Sequence, residues 1–291
     1  MTMIDFPPVP FNRAPLAPEY PWPNGAKSAL FIGFDVDAET AWMGNRPENA
    51  DKLVTVSHGG YDARVGIRKI LELLDDLALK GTFFIPGWTA LAHTAQCEAI
   101  VEAGHEIGHH GYLHRCPKRE DFAEAKSEID RGLQALEKAL GVRPVGYRAP
   151  SGENFPELLA YLTEVGMRYS SSFRDDIRPY RHVLHDGRPG PVEIPVNYAF
   201  DDWNHGMTSR LDSRPIFGRE PVLSMWIDEF EATHEWGGCT TMVLHPQVSG
   251  RPMRWFLLRD FLKHVKAKGD VWIATGAEIE AHFSACEAAG K

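Results

Sequence analysis

The stretch Gly104-His105-Glu106-Ile107-Gly108-His109-His110-Gly111-Tyr112-Leu113-His114 packs four histidines into eleven residues. Histidine is the commonest metal ligand among side chains. His110 and His114 have the H-x3-H spacing, and on a helical turn residues four apart share a face, so both imidazoles reach one ion. Clustered histidines also line polar turns or hydrogen-bond inside cores, and this spacing alone is a weak motif. It gains weight from Asp35-Val36-Asp37, which lies upstream at the end of an apolar run. Two imidazoles and one carboxylate make a common catalytic zinc triad, with the fourth position open for water.

Working outward, residues 28–34 (SALFIGF) read as a short buried strand. Side chains alternate along a strand, so Asp35 and Asp37 project together from its C-terminal end. Residues 38–60 follow, carrying Trp42, Gly44, Pro47 and His58. A connection of that length is expected to be a lid or a binding loop. A helix is predicted over 61–80, with Ile67, Ile70, Leu71, Leu74 and Leu77 on one stripe. A strand at 82–85 and a helix over 89–103 lead into the histidine strand and turn. The helix over 122–140 turns Ala125, Ile129, Leu133 and Leu136 inward and ends at Gly141 and Pro144.

Further strands are expected at 145–147, 167–171, 192–196, 240–244 and 271–274. Helices fall at 156–165, 219–236, 255–268 and 277–282, and the polar residues 175–190 read as loop. Alternating strands and helices argue for parallel strands with covering helices. The polar clusters at Asp35/Asp37, His110/His114, Arg148, Trp203 and His245 each sit just after a strand. In a (β/α) barrel, catalytic groups come from the C-terminal ends of several strands. The predicted fold is therefore α/β, a single (β/α) barrel, complete or incomplete, over residues 26–291. A proline-rich arm over 1–25 precedes it, with Pro7, Pro8, Pro10, Pro15, Pro18, Pro21 and Pro23. Such an arm is extended and is expected to wrap over the domain or a neighbouring subunit. A doubly wound sheet is the alternative, but no Gly-x-Gly-x-x-Gly or P-loop follows the first strand.

With a net charge of −9, the chain carries no basic footprint for nucleic acid and no polybasic membrane patch. The cysteines Cys97, Cys116, Cys239 and Cys286 include no C-x-x-C pair and suit a reducing compartment. No run approaches a membrane span, and residues 1–25 lack the pattern of a signal peptide. The expected location is cytoplasmic.

Five motifs in order resemble the NodB-homology, or polysaccharide deacetylase, family. They are Gly33-Phe34-Asp35-Val36-Asp37, the Gly104–Gly108 run with His110 and His114, Arg148-Ala149-Pro150-Ser151-Gly152, Asp202-Trp203, and Val243-Leu244-His245. Val36 separates two aspartates that are adjacent in the family pattern, and Ser151 replaces a tyrosine. With His245-Pro246-Gln247 and Gly250-Arg251-Pro252, these departures look like a cytoplasmic branch. That branch holds cyclic imide hydrolases, metal-independent allantoinases and peptidoglycan-deacetylase-like proteins.

The resemblance implies a NodB-type barrel and one divalent ion, Zn²⁺ foremost, on Asp37, His110 and His114. It makes Asp35 the general base, tethered by Arg148, with the two aspartates exchanging roles as the alternative. His245 is the candidate general acid for the leaving nitrogen. Trp88, Tyr112, Ser151 and Trp203 are candidate substrate-binding residues. His105 and His109 read as structural or supporting, and Glu39 and His58 take no assigned role. The expected activity is ring opening of small cyclic imides by an activated water. N-deacetylation of peptidoglycan or other N-acetylated sugar polymers is the alternative, and a catalytically inactive sugar-binding scaffold a third. Residues 38–60 leave the strand end that bears both aspartates, so they are expected to cover the metal and restrict substrates to small rings. A homo-oligomer, a tetramer by family resemblance, is expected as well.

Overall fold

In the computed structural model, Ser28–Asp35 forms a strand buried on both faces along its whole length. That is what a continuous apolar run in a parallel sheet covered on both sides gives. The structure describes residues 20–210 and 213–290, with the backbone of 12–13. The strands described are β1 (Asn12–Arg13), β2 (Ser28–Asp35), β3 (Thr82–Ile85), β4 (Glu106–His109), β5 (Gly146–Tyr147), β6 (Tyr169–Ser170), β7 (Tyr180–Val183), β8 (Pro189–Glu193), β9 (Cys239–Leu244) and β10 (Val271–Ala274). The helices are α1 (Thr40–Met43), α2 (Leu53–Tyr61), α3 (Ile67–Asp76), α4 (Gly87–Ala92), α5 (Thr94–Glu102), α6 (Phe122–Leu140), α7 (Pro156–Glu164), α8 (Trp203–Gly206), α9 (Arg219–Glu235), α10 (Pro246–Ser249), α11 (Pro252–Lys268) and α12 (Gly276–Ala288).

Strands β9, β2, β3, β4, β5, β6 and β8 run parallel, each paired with the next in that order. β10 pairs with the first half of β2, on the edge whose second half takes β3. At the far end the sheet turns antiparallel through β7 and β1. Between β8 and β9 the wall is irregular chain. Cys239 N–H donates to the Ile177 carbonyl at 2.8 Å, and Asp201 bridges to Val243. The barrel is thus incomplete.

The apolar core lies between the outer helices and the strands. Ile67, Ile70, Leu73 and Leu74 of α3 join Leu257, Phe261 and Val265 of α11 beneath β2 and β3. α6 spans the predicted residues, with Ala125, Ile129, Leu133 and Leu136 buried and Gly141 ending it at φ 66°. Three expectations change. Residues 175–190 are not all loop, because Tyr180–Val183 pairs with β8 and alternates buried with half-buried residues. The helix expected over 89–103 breaks at His93 into α4 and α5. Residues 38–60 are not an open loop but carry α1, a short turn over Pro47–Asn49, and most of α2.

Much of the proline-rich arm lies outside the described residues. Its end is packed on the body, where Tyr20 and Trp22 are buried against Phe283 and the Trp22 indole donates to the Gly237 carbonyl at 2.9 Å.

Candidate metal and catalytic centre

β2 delivers Asp35 as its last residue, and Asp37 follows two positions on, both buried. The chain then turns sharply. Ala38 takes a left-handed φ of 50°, and its N–H donates to Asp62 Oδ2 at 2.7 Å. Asp62 is fully buried, and burial holds its carboxyl well above the ordinary range. The Asp37 carbonyl accepts hydrogen bonds from Thr40 Oγ1 at 2.6 Å and Thr89 Oγ1 at 3.0 Å. The metal-side aspartate is therefore fixed through its backbone as well as its neighbours.

His110 is the first residue past β4. Its Nδ1 lies 2.7 Å from the Arg148 carbonyl. A carbonyl only accepts, so in the neutral ring Nδ1 carries the proton and Nε2 presents a lone pair. The predicted helical turn from His110 to His114 is absent. Gly111 and His114 both adopt left-handed backbone, at φ 73° and 57°. Glu128 of α6 holds this turn by accepting from the N–H groups of Tyr112 and Leu113 at 3.0 and 2.8 Å. α4 holds its other side, where the Gly87 and Trp88 N–H groups donate to the Gly111 and Tyr112 carbonyls at 2.9 Å.

Asp37 Oδ1 stands 3.3 Å from His110 Nε2 and 3.6 Å from His114 Nε2, and it has no hydrogen-bond partner despite being buried. Donors about 2.0–2.1 Å from a tetrahedral ion lie ~3.4 Å from one another. The spacing of these three atoms fits that requirement, and an orphaned buried carboxylate oxygen is what an absent cation leaves. Burial pushes His114 down to about 4, so its ring is neutral and free to ligate at pH 7. Burial opposes ionisation of Asp37, but His114, His110 and His245 hold its carboxyl well below the ordinary carboxylate range.

Asp35 is held differently. Arg148 Nη1 donates to Asp35 Oδ1 at 2.8 Å, while its Nε and Nη2 donate to the Ser171 carbonyl and hydroxyl at 3.0 Å. The guanidinium lies over Phe84, 4.3 Å from the ring centre. Gly33 on β2 permits this, since a Cβ there would sit 2.7 Å from the guanidinium nitrogens. Asp35 is thus aimed by a buried, fully engaged arginine.

Opposite, His245 starts α10, its Nδ1 2.7 Å from Asp202 Oδ1 and its Nε2 3.8 Å from Asp37 Oδ2. Asp202 also accepts from the His245 backbone N–H and the Ser249 hydroxyl. Burial alone would lower the imidazolium. The Asp202 bond and charge, with Asp37 and Asp35 beyond, hold it well above its ordinary value.

A cavity of about 340 Å³ opens over these groups, with Asp35, Asp37, His110, His114, Arg148 and His245 on its floor and walls. Ser151 and Trp203 line it, Ser151 in left-handed backbone at φ 59°. Trp203 packs edge-on to His245, with ring centres 5.0 Å apart. Trp88 and Tyr112 do not line it. The Trp88 ring meets His93 edge-on, and Arg131 covers the Tyr112 ring at 3.9 Å. Both residues serve the histidine turn through their backbones.

His109 is structural. Its Nδ1 accepts from the Gly111 N–H at 3.2 Å and its Nε2 donates to the Ile129 carbonyl at 3.0 Å. His105 Nδ1 accepts from the Gly81 N–H. Glu39 pairs with His93 at 2.8 Å, and His58 stacks on Trp42.

Sequence reasoning gave no role to Asp62 or Glu128, which act through backbone N–H groups and carry no motif. Asp202 was legible as the residue before Trp203, but its hold on His245 spans 43 positions of sequence.

The fold is an incomplete (β/α) barrel with aspartates and histidines gathered at the C-terminal ends of its strands, where Asp37, His110 and His114 form a candidate metal group. The chain belongs to the polysaccharide deacetylase family. The sequence profile of that family, described as polysaccharide deacetylase, matches residues 54–170. A crystal structure of a candidate polysaccharide deacetylase from Mycobacterium smegmatis is 38% identical, over 95% of this chain and 96% of that one, with a TM-score of 0.89. The peptidoglycan deacetylase of Helicobacter pylori is 26% identical over 83% of this chain and 91% of its own length. Puue allantoinase shares the fold, with a TM-score of 0.81 at 24% identity over 97% of this chain and 98% of that one. The family makes the chain a hydrolase of carbon–nitrogen amide bonds. Deacetylases of this family are metal-dependent, and Asp37, His110 and His114 form a matching group here. Among the described residues, no helix is long and apolar enough to cross a membrane.

Proposed function

We propose that the protein opens small cyclic imides or related ring amides, with one divalent ion, zinc by its donor set, on Asp37, His110 and His114. The observation that carries this reading is the small cavity built directly over those three ligand atoms. Its volume of about 340 Å³ lies at the low end of small-molecule sites. Ala41, from the segment that follows Asp37, forms part of its wall. The fold shared with an allantoinase is compatible with that substrate class.

When bound, the ion supplies Lewis-acid polarisation and acidifies water. The chain's own residues do the rest. Asp35, aimed by Arg148, takes the proton as water oxygen bonds to the ring carbonyl carbon. His245, held by Asp202, gives a proton to the ring nitrogen as the C–N bond breaks. One cyclic imide and one water become an open-chain amide with a new carboxylate. Ser151 and Trp203 line the space beside the ring. Two observations support these roles for the aspartates: Arg148 binds Asp35 Oδ1, and Asp37 Oδ1 is buried without a hydrogen-bond partner.

The named activity of the Helicobacter pylori relative favours a second reading, N-deacetylation of a sugar polymer by the same groups. Zinc-loaded protein offered succinimide, maleimide, hydantoin, allantoin and N-acetylglucosamine oligomers separates the two. Ring opening of a cyclic imide, with kcat reduced roughly 10²–10⁴-fold in Asp35→Asn, is expected. Acetate release from the oligomers, with every ring left intact, would sink the ring-amide reading and leave the deacetylase.

A further inference from the structure

Arg174, an exposed side chain, lines the cavity. Its guanidinium lies over the Tyr198 ring, 4.3 Å from the centre. Nη1 donates to the carbonyls of Ser172 and Gly152 at 3.2 and 3.3 Å. Among the described residues no carboxylate pairs with it, and neither Nε nor Nη2 has a protein acceptor. Stacking and two backbone carbonyls orient this exposed side chain and leave part of its fork unspent. That is how a bidentate anion site is prepared.

The surroundings sharpen the contrast. The chain carries a net charge of −9. The cavity nevertheless gathers three arginines, Arg148, Arg174 and Arg214, and Arg214 donates to Asn204 Oδ1 across the same wall. Its carboxylates are engaged elsewhere. Asp35 is paired with Arg148 and Asp37 faces the ligand histidines. Burial pushes Asp201 up to about 6. A volume of about 340 Å³ equals a sphere roughly 9 Å across, the scale of one small molecule. Arg174 and the Asp37, His110 and His114 group line this one cavity, so a molecule that fills it meets both.

We propose that Arg174 forms an anion-binding subsite, and that the preferred substrate is a ring amide bearing a carboxylate. This rests on the ring-amide reading above. A carboxylate on the ring would accept from Nε and Nη2, setting the scissile carbonyl toward the metal side. Neutral rings lack that anchor. The product of ring opening would then be a dicarboxylate, so the reaction belongs beside those that make or consume small dicarboxylates.

Two measurements on zinc-loaded protein test this. The first compares kcat/KM for succinimide and carboxymethyl-succinimide, and for hydantoin and hydantoin acetate, in wild type, Arg174→Gln and Arg174→Lys. A charge-assisted bidentate contact corresponds to roughly tenfold to hundredfold. Wild type is expected to favour the carboxylated ring by that factor. The preference should collapse in Arg174→Gln and return in part in Arg174→Lys. An equal preference in wild type and Arg174→Gln overturns the subsite while leaving the ring-amide reading intact. The second titrates succinate calorimetrically into the same proteins. If no ring is turned over, the ring-amide reading fails, and this titration still decides the subsite. Affinity at least tenfold weaker in Arg174→Gln supports it, and equal affinity overturns it.

Discussion

Burial sets the protonation of His109, which has no exposed surface and is pushed down to about 3. Its ring uses one nitrogen as acceptor and the other as donor, so a second proton would break the Gly111 bond and bury a charge. The unfolded chain takes up that proton below about 6.5. Because the unfolded state binds more protons, the stability this histidine permits is full above that pH and declines as pH falls toward 3. Metal-stripped protein at pH 5 should therefore be about 2 kcal/mol less stable than at pH 7 from this group alone. Glutamine offers an acceptor and a donor without the titration. His109→Gln should flatten this part of the pH profile in urea unfolding. A profile unchanged by the substitution would assign the acid lability to other groups.

At the scale of elements, the segment after Asp37 is positioned by close packing. Trp42 is buried, its indole donates to Gln247 Oε1 at 2.9 Å, and Asn49 Nδ2 donates to the Trp42 carbonyl at 2.8 Å. The glycines here do not act as hinges. A Cβ on Gly59 would collide with the Ala38 carbonyl, whereas one on Gly60 would meet only the flexible end of Glu39 at 3.3 Å. Gly59→Ala should cost about 1–3 kcal/mol and weaken metal binding by displacing Ala38 beside Asp37. Gly60→Ala should be neutral or mildly stabilising, as alanine in a helix is. Thermal melts and zinc titrations of the pair check this, and equal effects at both positions would contradict it. The short helices were illegible because each is too brief for a periodic stripe and is held by contacts distant in sequence. β7 was missed because Arg181 and His182 look like loop residues, although His182 is buried against Glu193 at 3.0 Å. α6 was legible because nineteen residues repeat their apolar stripe and end in a glycine.

Across the whole molecule, the alternation of strands and helices and the placing of polar residues after strands were enough to read the barrel. Both are local patterns that a parallel sheet with covering helices enforces. The candidate ligand set was legible because each of its residues stands within five positions of a strand end. The supporting shell of Asp62, Glu128 and Asp202 was not, because it depends on which helices and loops pack behind those ends. The expected homo-oligomer remains a proposal, since residues 1–11 and 14–19 of its arm lie outside the described residues. The claim on which everything else stands is that Asp37, His110 and His114 hold one divalent ion. Elemental analysis of protein loaded with zinc and desalted tests it most directly, with wild type, His110→Ala and His114→Ala compared. One ion per chain in wild type, and most of it lost from both variants, is the predicted result. Equal zinc occupancy in wild type and His114→Ala would show that the ion is held by other residues.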